Sequence, residues 1–393
     1  MLESNNGLIK LSSFLFILLY LSAVKLVDFG FGSLLGDIFL IISLMGAGLL
    51  LLSFRDSKVL IYKDIFLLLT PLLLISLIYF FNIFFTSNPL ASLQRSFLIF
   101  LICISFVFFY KMGILDKQKI MKKYLHNFLV VIIIFIYMYY LRDIKLQDAS
   151  TFFLNANSFG MYTSLLFLSL IVTTEKFYFK FIYFFLGFFL VFVSSSRTSL
   201  VAYFIAFLFM FLGSFFYRNK SLYRLTIMVL IFSALFVLYY MVYFDLEKYN
   251  QIMRDYTSKN LLSGRNEVWP YVMNLISQKP FLGWGGGVDL KDVSFYDYSS
   301  HNMYLHTALQ IGIFGSFLIF VFYYLFWSNL WKYRMFFEVL SLNGIFIWLV
   351  LIQNFEVTLL QNNLAMSIPI LCLLAYLMGN LYAKKTRLLR IYY

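Results

Sequence analysis

The stretch FVSSSRTSLVAYF, residues 192–204, places one charged residue, Arg197, among five serine and threonine side chains. On both sides the chain is almost wholly apolar, over about 177–195 and 198–217. Each of these runs approaches the roughly 20 residues that a helix needs to cross the hydrocarbon of a bilayer. A charge in contact with hydrocarbon costs several kcal/mol unless it reaches water or a partner. The stretch therefore predicts a turn between two membrane-spanning helices, with Arg197 at the membrane surface.

The composition of the whole chain agrees with a membrane protein. Of its 393 residues, 62% are hydrophobic and 12% are charged, whereas soluble domains carry roughly 25% charged residues. No internal repeat, soluble domain or linker rich in proline and serine interrupts the pattern. We therefore predict an all-α integral membrane protein in which residues 1–393 form a single polytopic membrane domain.

Apolar runs of membrane-spanning length recur along the chain and predict about twelve transmembrane helices. The sixth run is the shortest of them. The predicted spans are 9–29, 34–54, 60–85, 93–111, 124–141, 159–174, 177–195, 198–217, 224–244, 302–328, 336–354 and 364–382.

The basic residues predict which side of the membrane each connection occupies. With the N-terminus inside, 20 of the 31 Lys and Arg residues fall on the cytoplasmic side, where positive charge collects in membrane proteins. We therefore predict that both termini are cytoplasmic and that the one large loop, residues 245–301, is extracytoplasmic. The same topology explains the net charge of +13 without nucleic acid as a partner.

The large loop contains the sequence LLSGRNEVWPYVMNLISQKPFLGWGGG at 261–287. Apolar residues recur at four-residue spacing in its first half, which predicts a short amphipathic helix on the membrane surface or on the bundle. Pro270 belongs near the first turn of such a helix, and Pro280 ends it. The glycines that follow, among them Gly283 and Gly285, favour a close approach of the backbone to another group.

Three arginines are predicted to lie near the outer ends of spans: Arg95, Arg197 and Arg265. A guanidinium donates two parallel hydrogen bonds to phosphate, so the three favour an anionic ligand at the membrane surface. Isolated arginines also reach lipid phosphates or solvent. For Arg95 we favour contact with lipid phosphates, and for Arg265 a solvated loop charge is the alternative.

Histidines and asparagines supply the other candidates. His301 directly follows the large loop and is a candidate general base, because an unperturbed imidazole titrates near neutrality. His306 lies five residues further on, more than one helical turn away, and no cluster has the spacing of metal ligands. No metal or other cofactor is predicted. Asn155 and Asn157 could bind sugar hydroxyls, but capping of a helix near Ser158 explains at least one of them.

The order of these motifs resembles the bacterial O-antigen ligase and Wzy-type polysaccharide polymerase superfamily. The motifs are Asn-x-Asn at 155–157, Ser-x-Ser-Arg at 194–197, Ser-Gly-Arg-x-x-x-Trp at 263–269, Lys-Pro-x-x-Gly-x-Gly at 279–285, His-Asn-x-x-Leu at 301–305 and Gly-x-x-Gly at 312–315. The resemblance implies a metal-independent membrane glycosyltransferase of the GT-C type. By position in the motifs, it makes Arg197, Arg265 and His301 catalytic. We assign substrate binding to Arg95, Asn155, Asn157, Trp269, Gly283, Gly285 and Asn302.

Within that superfamily we expect a polymerase in the bacterial cytoplasmic membrane, with its site facing outward. Its donor and acceptor would be oligosaccharide units linked to undecaprenyl diphosphate, assembled into O-antigen or capsular polysaccharide. Membrane lipids, a chain-length regulator and a flippase of the same pathway are the expected partners. One alternative is a ligase that transfers the glycan to lipid A core, and another is a transporter of the lipid-linked units. Against a transporter, we find in the sequence neither related halves nor mid-membrane charges or broken helices.

Overall fold

The structure, a computed structural model, describes residues 2–28, 30–53, 63–142, 153–243, 248–249, 251–252, 255, 264–293, 299–360 and 364–392. Within these ranges the fold is helical and contains no strand, although one antiparallel bridge joins Val27 and Phe153. The helices are α1 (Leu2–Leu21), α2 (Gly32–Ser53), α3 (Lys63–Phe81), α4 (Pro89–Leu115), α5 (Ile120–Arg142), α6 (Ala156–Thr173), α7 (Phe177–Val193), α8 (Arg197–Leu212), α9 (Lys220–Tyr243), α10 (Arg265–Gln278), α11 (Leu290–Val293), α12 (Met303–Leu330), α13 (Glu338–Ile352) and α14 (Leu364–Tyr392).

Each predicted span falls on one of these helices. In the described part of the chain, ten helices are long and apolar enough to cross a membrane, and α7 and α13 are shorter apolar helices. The prediction that the sixth span is the shortest is wrong, because α6 has 18 residues while α7 has 17 and α13 has 15. Apolar segments form helices here because hydrocarbon offers no partner to a backbone N–H or C=O group.

The bundle has an interior and a periphery. Helix α6 and residues 364–381 of α14 are almost fully buried, with α14 packed against α4, whereas fewer than a third of the residues in the α2 and α9 spans are buried. One continuous apolar core includes side chains from α1 to α14. Buried α6 and α14 therefore form the centre around which the other helices are arranged.

Ion pairs link connections that the sequence assigned to the same side of the membrane. Lys119 and Glu175 lie 2.7 Å apart, Lys332 and Asp64 2.6 Å, and Lys384 and Glu338 2.8 Å. We call the face that carries these pairs the basic face. The opposite ends of the helices carry Arg197, Arg265 and His301, and we call that end of the bundle the site face.

Helix α12 is broken near its middle, which the continuous tenth span did not predict. Gly312 has φ +75° and ψ 174°, a conformation that suits glycine alone, and an added Cβ would overlap the Phe281 carbonyl. The carbonyls freed by the break accept hydrogen bonds from the neighbouring loop: Trp284 N–H donates to Leu309 at 2.7 Å and Gly285 N–H to Gln310 at 2.9 Å. The break divides α12 into two segments. The first begins beside His301, and the second crosses the bundle.

Helix α10 lies on the bundle. Val268, Trp269, Val272 and Ile276 are buried against Leu305 and Leu309 of the first half of α12, whereas Met273 is exposed. The predicted end before Pro280 is confirmed, since α10 stops at Gln278. The predicted position of Pro270 is one turn too early, because α10 begins at Arg265 and Pro270 lies in its second turn.

Candidate functional site

Arg197 is the first residue of α8 and follows a turn formed by residues 194–196. Ser195 takes a left-handed conformation, with φ +57°, which reverses the chain between α7 and α8. The turn lies against the start of α6, where an added Cβ at Gly160 would be 2.6 Å from the hydroxyl of Ser194. Glycine at this position lets the first turns of α6 and α8 lie side by side, with the exposed side chain of Arg197 at the site face.

Arg265 is the first residue of α10 and contacts a connection from a distant part of the chain. Its Nη2 donates to the Phe355 carbonyl at 3.1 Å, and the guanidinium carbon lies 5.7 Å from the centre of the Phe355 ring. Burial lowers the pKa of Arg265, the Glu356 carboxylate raises it and the Arg197 guanidinium lowers it. A free guanidinium has a pKa far above neutrality, so Arg265 remains charged. These electrostatic neighbours bring Arg197, Arg265 and Glu356 into one site.

His301 precedes α12 in a strained conformation that its neighbours hold. Its φ is +44°, and a non-glycine residue in that region costs roughly 1–3 kcal/mol. The Trp269 indole N–H donates to the Ser300 carbonyl at 2.8 Å, and the Asn302 side chain accepts hydrogen bonds from two backbone N–H groups in the first turn of α12. These hydrogen bonds hold Ser300 and Asn302 on either side of His301. The His301 imidazole lies at the site face, with 45% of its side chain exposed.

Glu356 joins the two sides of the site. It lies in the connection between α13 and α14, and its carboxyl group is almost fully buried. One oxygen, Oε1, accepts a hydrogen bond from Asn157 Nδ2 at 3.2 Å, and the other, Oε2, lies 3.4 Å from His301 Nδ1. The Glu356 carboxylate therefore contacts both the N-terminal turn of α6 and His301, two positions before α12.

Hydrogen bonds fix the Glu356 connection to the start of α12. Met303 N–H donates to the Gln353 carbonyl at 3.0 Å, and Asn302 Nδ2 donates to the Asn354 carbonyl at 2.8 Å. Gln353 Nε2 also donates to Thr358 within the connection, at 2.6 Å. The Glu356–His301 contact thus rests on backbone positions that are held independently of those two side chains.

The combined site contains two guanidinium groups, one imidazole and one buried carboxylate. With a neutral imidazole, Arg197, Arg265 and Glu356 together carry one net positive charge, which attracts an anion. An imidazole that contacts a carboxylate through one nitrogen can accept a proton at the other. The arrangement can therefore bind an anionic group and remove a proton beside it.

Comparison with known families identifies the segment that carries these residues. A family model described as O-antigen ligase matches residues 182–320.

The chain contains an O-antigen ligase domain.

The resemblance to the O-antigen ligase and polymerase superfamily is thereby confirmed. No curated protein shows significant similarity to the chain. The O-antigen ligase domain includes Arg197, Arg265 and His301, whereas Asn157 and Glu356 lie outside the matched segment. The site is thus completed by helices on both sides of the domain.

Glu356 was not predicted as a site residue. It follows the polar sequence Gln-Asn-Phe at the end of the eleventh predicted span, on the predicted outer side. A carboxylate there, between two apolar runs and opposite predicted arginines, is the signal that could have revealed it. Its chain separation from His301 and Asn157 hid the contact.

Three predicted substrate-binding residues have structural contacts. Asn155 caps α6 by accepting a hydrogen bond from Ser158 N–H at 2.8 Å, which confirms that one of the two asparagines is a cap. Trp269 and Asn302 are fully buried and bonded to protein groups. Both residues support the backbone on either side of His301, and their predicted contact with substrate stays a prediction. Asn157 is exposed and bonded to Glu356, so its predicted contact with substrate stays a prediction.

The predicted glycines and Arg95 lie in a different part of the structure. An added Cβ at Gly283 would overlap the Gln310 backbone, and one at Gly285 would overlap the Thr86 side chain. The close approach predicted for this loop is therefore to helix α12 and to the segment between α3 and α4. Arg95 has Tyr79, Asp289 and Asp37 as its electrostatic neighbours, so acidic groups of the protein lie near it in addition to any lipid.

His306 is buried beside Asp289, with Nε2 3.8 Å from Oδ1. It lies in α12 beneath the surface, apart from the exposed imidazole of His301. In the part of the chain that the structure describes, no group of three or more His, Cys, Asp or Glu side chains could hold a metal ion. Cys103 and Cys372 are buried free thiols.

Proposed function

We propose that the protein is a GT-C-type glycosyltransferase that joins oligosaccharide units carried on a polyprenyl diphosphate. The observation that carries this proposal is the convergence of Arg197, Arg265, His301 and Glu356 at one face of an O-antigen ligase domain. A diphosphate leaving group needs positive charge beside it, and a hydroxyl nucleophile needs a base. The site supplies both.

In the proposed step, a hydroxyl oxygen of the acceptor sugar attacks the anomeric carbon of the donor. The new glycosidic bond forms as the bond from that carbon to the diphosphate breaks, and the diphosphate leaves with the electron pair. The hydroxyl proton passes to His301. Because Nδ1 faces Glu356, Nε2 is the nitrogen assigned to accept it. Glu356 stabilises the resulting imidazolium.

The two arginines are assigned to the donor diphosphate. Negative charge grows on the diphosphate as the glycosidic bond breaks, so fixed cations there stabilise the transition state more than the ground state. Arg265 is already held against Phe355, which preorganises its charge. Arg197 is exposed at the helix start and is assigned to the outer phosphate oxygens.

The preferred product is a polymer of repeat units linked to undecaprenyl diphosphate. The modest size of the outer loop, residues 245–301, favours a polymerase that accepts a second copy of its own substrate class. A ligase that transfers the glycan to lipid A core is the second candidate, favoured by the description of the matched family. In both cases we place the site face outside the bacterial cytoplasmic membrane and both termini inside, on the basis of the basic residues.

The experiment is incubation of the purified protein with a defined lipid-linked repeat unit, with and without a core lipid acceptor. Longer lipid-linked ladders without core lipid identify a polymerase, and transfer only to added core lipid identifies a ligase. His301→Ala should reduce either product, since general-base catalysis contributes roughly 10²–10⁴-fold. His306→Ala, the control histidine five residues further along the chain, should act mainly through packing. Absence of both products from the folded protein would contradict a glycosyltransferase.

A further inference from the structure

A group of charged side chains on the basic face lies at the opposite ends of the helices from the candidate functional site. It consists of four lysines and two glutamates: Lys119, Lys122, Glu175, Lys180, Glu338 and Lys384. They come from the start of α5, the connection before α7, the first turn of α7, the start of α13 and the later part of α14. We call this group the lysine cluster.

The two carboxylates of the lysine cluster are already paired. Glu175 lies 2.7 Å from Lys119, and Glu338 lies 2.8 Å from Lys384. Lys122 Nζ lies 3.8 Å from the same Glu175 oxygen. Among the described residues, no carboxylate lies within the 4.0 Å ion-pair distance of Lys180. The cluster therefore holds two more positive charges than negative ones.

Lys122 is the least exposed member of the lysine cluster. Only 16% of its side chain is exposed, compared with 60% for Lys119 and 51% for Lys384. The ammonium groups of Lys119 and Lys180 repel that of Lys122, whereas the carboxylates of Glu175 and Glu338 attract it. Withdrawing an ammonium from water costs several kcal/mol unless an opposite charge compensates. An added anion would supply that compensation.

The position of the lysine cluster matches the depth of lipid phosphates. Lys122 is the third residue of α5 and Lys180 the fourth residue of α7, so both stand where apolar spans begin. Phe177, Tyr178 and Phe179 are exposed beside them, and exposed aromatic residues are typical of the membrane–water interface. Basic pockets between helices at this depth bind anionic head groups.

We propose that Lys122 and Lys180 form a binding site for a phosphate group, carried by the head group of an anionic lipid in the leaflet of the basic face. The site is separate from the proposed transfer reaction, and its occupancy stabilises the packing of α5 and α7 on α6. Inorganic phosphate shares the same chemistry, so the test separates the two sources.

The experiment follows thermal unfolding of the detergent-purified protein during titration with phosphatidylglycerol, with phosphatidylcholine and inorganic phosphate as separate arms. We expect phosphatidylglycerol to raise the melting temperature above the phosphatidylcholine arm. In Lys122→Gln/Lys180→Gln the half-maximal phosphatidylglycerol concentration should rise by roughly 25-fold, since each lysine in direct contact with the bound head group contributes a factor of about five. The control is Lys117→Gln/Lys123→Gln, which removes the same charge from exposed positions of the same face and should leave that concentration unchanged.

If Lys122→Gln/Lys180→Gln folds poorly, a second variant provides the test. Glu175→Gln/Glu338→Gln removes both negative charges of the lysine cluster, so it should lower the half-maximal phosphatidylglycerol concentration. Stabilisation by inorganic phosphate that depends on Lys122 and Lys180 would support the site with free phosphate as its ligand. The proposal is overturned if neither phosphatidylglycerol nor inorganic phosphate stabilises the protein. It is also overturned if Lys117→Gln/Lys123→Gln raises the half-maximal concentration as much as Lys122→Gln/Lys180→Gln, or if Glu175→Gln/Glu338→Gln leaves that concentration unchanged.

Discussion

Replacement of Glu356 by glutamine tests the contact that organises the site. The variant keeps an oxygen that can accept from Asn157, but it loses the negative charge that lies 3.4 Å from His301 Nδ1. Its amide N–H would instead donate to Nδ1 and favour the opposite tautomer of the imidazole. The change therefore removes stabilisation of the imidazolium that forms when the acceptor hydroxyl loses its proton.

The structure sets the size of the expected effect. Two unit charges 3.4 Å apart interact by about 1 kcal/mol in bulk water and by about 5 kcal/mol at an effective dielectric constant of about 20. Because 45% of the His301 side chain is exposed, water screens this interaction. The interaction energy lost in Glu356→Gln should therefore lie in the lower part of this range, at about 1–3 kcal/mol. With 1.36 kcal/mol for each tenfold change, single-turnover transfer should slow by roughly tenfold to a hundredfold.

The assay compares single-turnover transfer and binding of the lipid-linked donor in the purified variants. Glu356→Gln should slow transfer while donor binding stays close to that of the unmodified protein, since the arginines are unchanged. Glu267→Gln is the matched control, because Glu267 is an exposed carboxylate on α10 at the same face. If both variants transferred at the same rate, or if Glu356→Gln lost donor binding and kept its rate at saturation, the assignment of Glu356 to His301 would be wrong.

Four further predictions address the arginines, the helix break, the topology and metals. Arg197→Lys keeps the charge but loses the planar fork, so transfer should fall by roughly 10²–10³-fold, and a rate near that of the unmodified protein would rule out the phosphate contact. Gly312→Ala should destabilise the protein by about 2–4 kcal/mol in thermal unfolding, whereas Gly30→Ala, with no atom within 4 Å, should be nearly neutral; equal melting temperatures would contradict the strained break. In intact cells, Ser277→Cys should react with an impermeant thiol reagent and Lys117→Cys should not, and the reverse result would overturn the predicted sidedness. Transfer should persist in EDTA because the arginines already supply positive charge, and a loss restored by Mg²⁺ would show that a metal takes part.

The number and positions of the spanning helices were predictable from the sequence for a physical reason. In hydrocarbon a chain must satisfy its own backbone, so long apolar runs become helices whatever their neighbours are. All twelve predicted spans therefore fall on helices, and the end of α10 before Pro280 follows from proline chemistry. The break at Gly312 was not predictable, because a lone glycine in an apolar run is compatible with a continuous helix. The loop at 280–285 and the Asn82 side chain stabilise it through hydrogen bonds to the freed carbonyls.

The candidate site also combines features that the sequence determines with features that only the tertiary structure decides. Local sequence predicted that Arg197 and Arg265 would lie at one end of the bundle and that His301 would follow the large loop, since spans of fixed length place their ends at a membrane surface. Which polar residues meet there was decided by helix packing. Glu356 lies 55 residues from His301 and 199 from Asn157 along the chain, and no local pattern encodes a contact over such separations. The packing of α13 and α14 against α6 and α12 brings this carboxylate to the imidazole, because those helices bury their apolar faces together and hold their ends at one face.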